Sequence, residues 1–305
     1  MSTDLFAPAT GSLPTVEITP RAGSGVLGVG GVSVLIGDSR KLLSTLPTES
    51  VNCCVTSPPY WGLRDYGHAD QIGQEATPDE FAQTMVEVFR EVRRVLKPDG
   101  TLWLNLGDSY YNYRTGYNGS LNAQSFHDGA RGKPTNGCAR RATKQENLKE
   151  KDLAGIPWTV ALALRADGWY LRSDIIWSKP NPTPESVIDR VTKAHEYVFM
   201  LSKSQNYHFD VEAIKQNGSR RRSVWEVPVQ PFEDAHFATF PPELIRPCIL
   251  AGCPSGGVVL DPFGGSGTTG MVALELGRQA ILIELNPDYA KLIDQRTHTT
   301  RGFGF

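Results

Sequence analysis

Short apolar runs alternate with amphipathic stretches along most of the chain. From Val32, VSVLIG reads as a strand, SRKLLSTL as a short helix, and VNCCVT as a second strand running straight into SPPY. Thr77-Pro78-Asp79-Glu80 sets a capping hydroxyl ahead of a proline whose φ is already helical, so a helix starts there. Phe81, Val88, Val92 and Val95 recur at helical spacing until Lys97-Pro98-Asp99-Gly100 ends it, and TLWLNL follows as a strand. Further on, IPWTVALALRADGW reads as a helix, and YLRSDIIWSK and HEYVFMLSK as an antiparallel pair of strands closing one sheet edge. The last third runs helix (PPELIRPCILAG), strand (GGVVLDPF), helix (TTGMVALELG), strand (QAILIEL) and helix (PDYAKLIDQRT). Apolar strands separated by helices predict a buried, mostly parallel sheet with helices on both faces.

Two kinds of segment break this pattern. Residues 1–31 are rich in Gly, Pro, Ser and Thr and read as a flexible tail with a short strand at VEIT, leaving 32–305 as one domain. The polar interval from Tyr110 to about Asp152 is too long for an ordinary connection, so insertions are expected at about 110–153 and 204–235. A chain of 305 residues with 40% hydrophobic and 21% charged residues has the make-up of a soluble globular protein with a real core. No apolar run approaches the roughly 20 residues that span a bilayer, and the N-terminus lacks the basic start and apolar stretch of a secretory signal. These features predict a cytoplasmic protein with no membrane partner. The cysteines, Cys53, Cys54, Cys138, Cys248 and Cys253, have no CxxC spacing and no histidine pair beside them, so reduced core thiols and no metal site are expected. The formal net charge of -2 excludes a uniformly basic nucleic-acid binder and turns attention to local patches. Arg131, Lys133, Arg140, Arg141, Lys144, Lys149 and Lys151 face only Glu146 and Glu150 in one stretch, and Arg220, Arg221 and Arg222 form a second cluster. Both suit phosphate contact, although a charge run more commonly means a solvated surface.

The densest chemical signal is Val258-Val259-Leu260-Asp261-Pro262-Phe263-Gly264-Gly265-Ser266-Gly267-Thr268-Thr269. An apolar strand ends in an acid, and a glycine-rich turn then opens a helix, which lets a ligand press against bare backbone. A P-loop would need a lysine after the glycines to reach phosphates, and none is present. A nucleoside without phosphates fits better, and Glu284, ending the next strand, can accept hydrogen bonds from both ribose hydroxyls. A dinucleotide site would share that acid but spaces its glycines differently. The bland alternative is a tight βα turn with a satisfied acid.

The second signal is Thr56-Ser57-Pro58-Pro59-Tyr60-Trp61-Gly62 at the end of VNCCV. Two prolines fix the backbone and remove two N–H donors, so carbonyl oxygens are presented without competing local bonds. An exocyclic amine on a base is a poor nucleophile because its lone pair is delocalised into the ring. Acceptors on Ser57 and the Pro58 carbonyl, each taking one N–H bond, would return that lone pair to nitrogen. Tyr60 supplies a face for a flipped base to stack on. The bland alternative is a rigid turn with a packed aromatic.

Together the two motifs resemble those of the β group of amino-directed DNA methyltransferases, over about residues 33–296. In that family a DPF-G-G-SGTT motif binds S-adenosylmethionine and a [S/D/N]-PP-[Y/F/W] motif holds the target amine. The resemblance implies a doubly wound, mostly parallel methyltransferase sheet with an antiparallel edge strand, in permuted motif order because TSPPY precedes DPFGGSGTTG, plus an inserted DNA-recognition region. It implies that Ser57, Pro58, Pro59 and Tyr60 are catalytic. It also implies that Asp38, Phe240, Asp261, Pro262, Phe263, Gly265, Gly267, Thr268, Glu284 and Asn286 bind S-adenosylmethionine, released as S-adenosylhomocysteine. Asp38 matches the acid near adenine. Phe237-Ala238-Thr239-Phe240-Pro241 resembles the segment at the methionine end but departs from the family's His-Pro-Thr-Gln-Lys-Pro pattern. Trp177, Lys179 and Pro180 resemble the segment after the family's fifth strand.

Within this resemblance SPPY is commoner in N4-cytosine enzymes and DPPY in N6-adenine enzymes, so Ser57 points to cytosine N4, with adenine N6 as the runner-up. Transfer to cytosine C5 would need a nucleophilic cysteine, and the sole Pro-Cys pair, Pro247-Cys248, falls in an apparent core helix. A different class, a DNA-binding module that keeps the pocket but is catalytically silent, is disfavoured by the intact SPPY and Glu284. The partners implied are double-stranded DNA, a second copy of the chain, since β-group relatives are often dimers, and a cognate restriction endonuclease.

Overall fold

The computed structural model describes residues 26–29, 31–62, 71–112, 147–230 and 240–301. The chain alternates strand and helix much as its hydrophobic pattern predicts. Strands β1 (Val26–Val29) and β2 (Val32–Ile36) precede helix α1 (Ser39–Leu43), and β3 (Val51–Thr56) precedes α2 (Pro78–Val95). Then come β4 (Leu96–Leu106), α3 (Ile156–Ala166), β5 (Tyr170–Ser178), β6 (His195–Ser202) and β7 (Val224–Glu226). The last third holds α4 (Pro242–Gly252), β8 (Val258–Asp261), α5 (Thr268–Glu275), β9 (Gln279–Glu284) and α6 (Pro287–Arg301).

These strands form one sheet in the order β1-β2-β9-β8-β3-β4-β6-β5-β7. The five from β2 to β4 are mutually parallel, whereas β1 at one edge and β6 between β4 and β5 run antiparallel to their neighbours. Helices α1, α2 and α3 cover one face and α4, α5 and α6 the other, each with its own apolar cluster. Helix α2 shows why the sequence folds this way. The Thr77 hydroxyl accepts the Glu80 N–H at 3.0 Å, and the stripe Phe81, Met85, Val88, Phe89 and Val92 is fully buried.

The structure departs from expectation at three places. Strand β1 lies inside the segment expected to be a tail, paired with β2; VEIT falls outside the described residues. The β5–β6 pair does not close the sheet edge, because β7 adds to β5 in parallel and draws part of the second expected insertion into the sheet. Strand β4 begins at Leu96, before the expected Lys97–Gly100 turn. There Val51 pairs with Leu96 and Cys53 with Thr101, so residues 97–100 loop out of the ladder as a bulge. No helix among the described residues is long and apolar enough to cross a membrane.

Candidate active site

Strand β8 leads through α5 to β9 on one side, and β3 leads through α2 to β4 on the other. The order reverses between β3 and β8, which are direct neighbours, with Cys53 opposite Val259 and Cys54 opposite Leu260. A crevice opens where the carboxyl ends of such strands diverge. Here those ends are TSPPY and DPFGG, and a buried polar knot ties them together. Asp261 is 2% exposed; its Oδ1 accepts from Thr56 Oγ1 at 2.6 Å and from the Phe263 N–H at 3.0 Å, and its Oδ2 accepts from Thr269 Oγ1 at 2.7 Å. Burial raises the Asp261 carboxyl above its usual range, against the opposing pull of these three donors. The Asp261 side chain therefore braces both turns from behind, with Pro262 buried and Phe263 half-buried on the same loop.

The glycine turn then crosses to β9. The Gly264 N–H donates to the Ile283 carbonyl at 2.8 Å, and the Gly265 N–H to Glu284 Oε2 at 2.7 Å. Gly267 holds φ of 83°, and a Cβ there would sit 3.0 Å from Ile293, so both conformation and packing demand glycine. Glu284 also takes the Asn286 N–H on Oε1 at 2.9 Å, yet burial lifts its carboxyl to about 7. Asn286 spends its side-chain oxygen on the Asp288 N–H at the start of α6, a helix cap. On the adjoining β2, the Gly37 N–H donates to the Glu284 carbonyl at 2.9 Å, which brings Asp38 to the same rim. The Asp38 carboxylate accepts the Arg40 N–H at 2.9 Å and pairs with its guanidinium at 2.8 Å. Burial opposes ionisation of Asp38, but the Arg40 bonds prevail and hold its carboxyl below the usual range. Thr268 is buried beside Ser266, and Arg296 of α6 donates to the Ser266 carbonyl and hydroxyl at 2.8 and 2.7 Å and to Thr268 Oγ1 at 3.3 Å. Phe240 is buried in the cluster under α4. The far end of α4, Gly252, abuts Thr101 where the regular β4 ladder begins, so Phe240 lies toward the opposite, carboxyl end of the strands.

On the proline turn, Tyr60 reaches across the end of β4. A Cβ on Gly107 would come within 2.5 Å of Tyr60 Cε2, so the ring lies on bare backbone. Its hydroxyl donates to Glu196 Oε2 at 2.6 Å, with Asn105 Oδ1 at 3.3 Å. Burial first, then the charge of Glu196, pushes the Tyr60 hydroxyl well up and keeps it protonated. Asn105 Nδ2 also donates to Glu196 Oε2 at 3.1 Å, and Lys179 Nζ to Glu196 Oε1 at 2.5 Å. Lys179 lies 4.4 Å over the Trp177 ring, whose indole N–H bonds the Val227 carbonyl at 2.7 Å. Sequence reasoning reached Trp177 and Lys179 but missed Asn105, Glu196, Thr269 and Arg296. Two left a local trace: Thr269 closes the glycine-rich motif, and Asn105 is a polar residue inside the apolar run TLWLNL.

Other expected residues lie elsewhere. Arg220, Arg221 and Arg222 precede β7, which runs parallel to β5, so they lie toward the amino end of that strand and away from the crevice. The Arg221 guanidinium packs 4.5 Å from the Trp225 ring centre, while Arg220 and Arg222 are exposed. Arg131, Lys133, Arg140, Arg141 and Lys144, together with Phe237, Ala238, Thr239 and Cys138, lie outside the described residues. Cys53, Cys54, Cys248 and Cys253 are free, buried thiols. Burial raises all four, Cys253 to about 12, so none of them is an ionised nucleophile.

Residues 51–295, which include both turns, match the N6/N4 methyltransferase family model, described as DNA methylase. This chain is a DNA methylase of the N6/N4 family. The methylase is 50% identical over 275 residues to the type II methyltransferase Cfr9I of Citrobacter freundii, covering 88% of this chain and 89% of the relative. It is 48% identical over 270 residues to the SmaI type II methyltransferase of Serratia marcescens, covering 86% and 89%. Among solved structures it resembles the cytosine-N4-specific PvuII DNA methyltransferase, with a TM-score of 0.67 at 21% identity over 90% of this chain and 91% of that one, a likeness of fold. It also resembles a Thermus thermophilus protein described as a putative DNA modification methylase, solved with S-adenosyl-L-methionine, with a TM-score of 0.60 at 26% identity over 91% and 96%. The cofactor of the methylase is S-adenosylmethionine. The turn fits that group: it has bare glycine backbone, no lysine for phosphates, and two carboxylates at its rim.

The knot at Asp261 should be a stability determinant. Asp261→Ala strands two hydroxyls and one N–H and is expected to cost about 3 kcal/mol or more, and Thr56→Val about 1–2 kcal/mol, read from urea denaturation midpoints. Unchanged midpoints in both variants would contradict the knot.

Proposed function

We propose that this methylase transfers the methyl group of S-adenosylmethionine to N4 of a cytosine flipped out of double-stranded DNA. One observation carries the reading: the Thr56–Asp261 hydrogen bond of 2.6 Å holds the amine-binding and cofactor turns together in one crevice. When bound, S-adenosylmethionine supplies the electrophilic methyl group and leaves as S-adenosylhomocysteine. The chain's own part is to position and activate the amine. Pro58 and Pro59 offer carbonyls without N–H donors, and Ser57 offers a hydroxyl oxygen, so the two amine protons are drawn to acceptors and the lone pair is freed toward the methyl group. The proton that the amine sheds leaves along its bond to Ser57 toward solvent. A neutral hydroxyl at position 57, rather than a carboxylate, supports cytosine over adenine. Tyr60 gives the extrahelical base a stacking face.

Asp38, Phe240, Pro262, Phe263, Gly265, Gly267, Thr268 and Asn286 line the cofactor side in this reading, and Glu284 receives the ribose hydroxyls. The insertions at about 110–153 and 204–235 supply target recognition. The basic residues of the first, Arg131, Lys133, Arg140, Arg141 and Lys144, contact phosphates; Arg220 and Arg222, set away from the crevice, serve only if the duplex extends round that edge. A homodimer and a cognate endonuclease remain expectations of the family resemblance.

Three outcomes follow. DNA methylated in vitro, digested to nucleosides and weighed, should contain N4-methylcytosine, and N6-methyladenine alone would reverse the base assignment. Ser57→Ala should lower single-turnover rates by about 100-fold or more while cofactor affinity stays within about twofold, the mark of an interaction made with the reacting amine. Glu284 titrates near 7, well above its ordinary 4.5. As a group raised in the fold, its contribution to stability is complete below 4.5 and is lost as pH rises through about 7. Hydroxyls donate to its ionised form, so S-adenosylmethionine should bind more tightly as pH rises through about 7. Calorimetric titrations at pH 6 and 8 should show this trend in the native enzyme and lose it in Glu284→Gln.

A further inference from the structure

Tyr60 does more than follow a proline turn. Three residues converge on it: bare Gly107 backbone at the end of β4 lies behind its ring, Asn105 of β4 lies beside its hydroxyl, and Glu196 of β6 accepts from that hydroxyl at 2.6 Å. Glu196 is itself fixed. Its Oε1 takes Lys179 Nζ at 2.5 Å and its Oε2 takes Asn105 Nδ2 at 3.1 Å, while Asn105 Nδ2 also bonds the Tyr197 carbonyl at 3.1 Å. The Glu196 and Lys179 side chains are 14% and 17% exposed, so the pair is largely shielded from solvent and held in one geometry. Lys179 in turn is pinned over the Trp177 ring.

We propose that Glu196 is a positioning residue for methyl transfer, acting through the Tyr60 hydroxyl to hold the aromatic face that receives the target base. An ionised carboxylate only accepts hydrogen bonds, so Glu196 also sets the direction of this bond: the Tyr60 proton points to β6. Lys179 keeps the Glu196 charge compensated, and so ties the geometry of the base platform to the β5–β6 end of the sheet.

The inference rests on the reading that Tyr60 faces the target base, but not on which base that is. The test therefore counts total tritiated methyl transferred from S-adenosylmethionine to DNA. An adenine product would overturn the cytosine assignment and leave this inference standing. Glu196→Gln reverses a donor and acceptor without changing size, and Tyr60→Phe removes only the hydroxyl that Glu196 holds. Each should lower the single-turnover rate by about 10-fold or more and by a similar factor, with the double variant no slower than either single one, because both cut the same link. Cofactor affinity of Tyr60→Phe should match the native protein, and its denaturation midpoint should fall by no more than the loss of one hydrogen bond to a charged group. Native rates in Tyr60→Phe, or losses that multiply in the double variant, would overturn the proposal.

Discussion

A carboxylate buried at the seam between β3 and β8 holds the active site together. Among the described residues Asp261 pairs with no cation; its oxygens are satisfied by two threonine hydroxyls and one backbone N–H, from three different stretches of chain. Such a group is costly to desolvate, and any displacement of a donor exposes that cost. The glycine turn after β8 and the proline turn after β3 consequently cannot drift apart without breaking the knot. The fold supplies the parallel ladder, and Asp261 ties together the turns that follow its two adjacent strands.

The two walls use different chemistry for related ends. On one side, glycines bring backbone N–H groups within reach of Glu284, and burial lifts that acid to about 7. On the amine side, prolines remove donors and leave acceptors. Rigidity there is reinforced from outside the motif, through the hydrogen bonds that the Tyr60 hydroxyl donates to Glu196 and Asn105 across the end of β4.

Much of this was legible in the sequence because it is written in local pattern. The helix from Pro78, the strands ending in TSPPY and DPFGG, and the terminal βαβ unit each carry periodicity, caps or glycines that act within a few residues. Strand β7 was not legible, because its three residues, with Trp225 buried between two exposed neighbours, are too few for the alternation to register. Contacts between distant polar residues also leave no local trace: nothing near Glu196 announces that it meets Tyr60, and nothing in α6 announces that Arg296 reaches Ser266. The arginine triplet shows the converse. Its charge was plain, but its place at the amino end of β7, and the turn of Arg221 onto Trp225, follow from strand direction alone. Asn286 was assigned to the cofactor side by its position in the motif, and the second task of its side-chain oxygen, capping α6, was not legible there.

The strand order bears on biosynthesis as well as catalysis. Strands β8 and β9 lie inside the sheet, yet they are synthesised after the other seven strands. Until they arrive, the β1–β2 hairpin has no partner strand, and β3 presents the apolar edge VNCCV beside the completed β4, β6 and β5. An open apolar edge is an invitation to intermolecular pairing. Prematurely terminated chains should therefore be sticky and inert, and the nascent polypeptide becomes a working enzyme only when its final βαβ segment drops into the gap like a keystone.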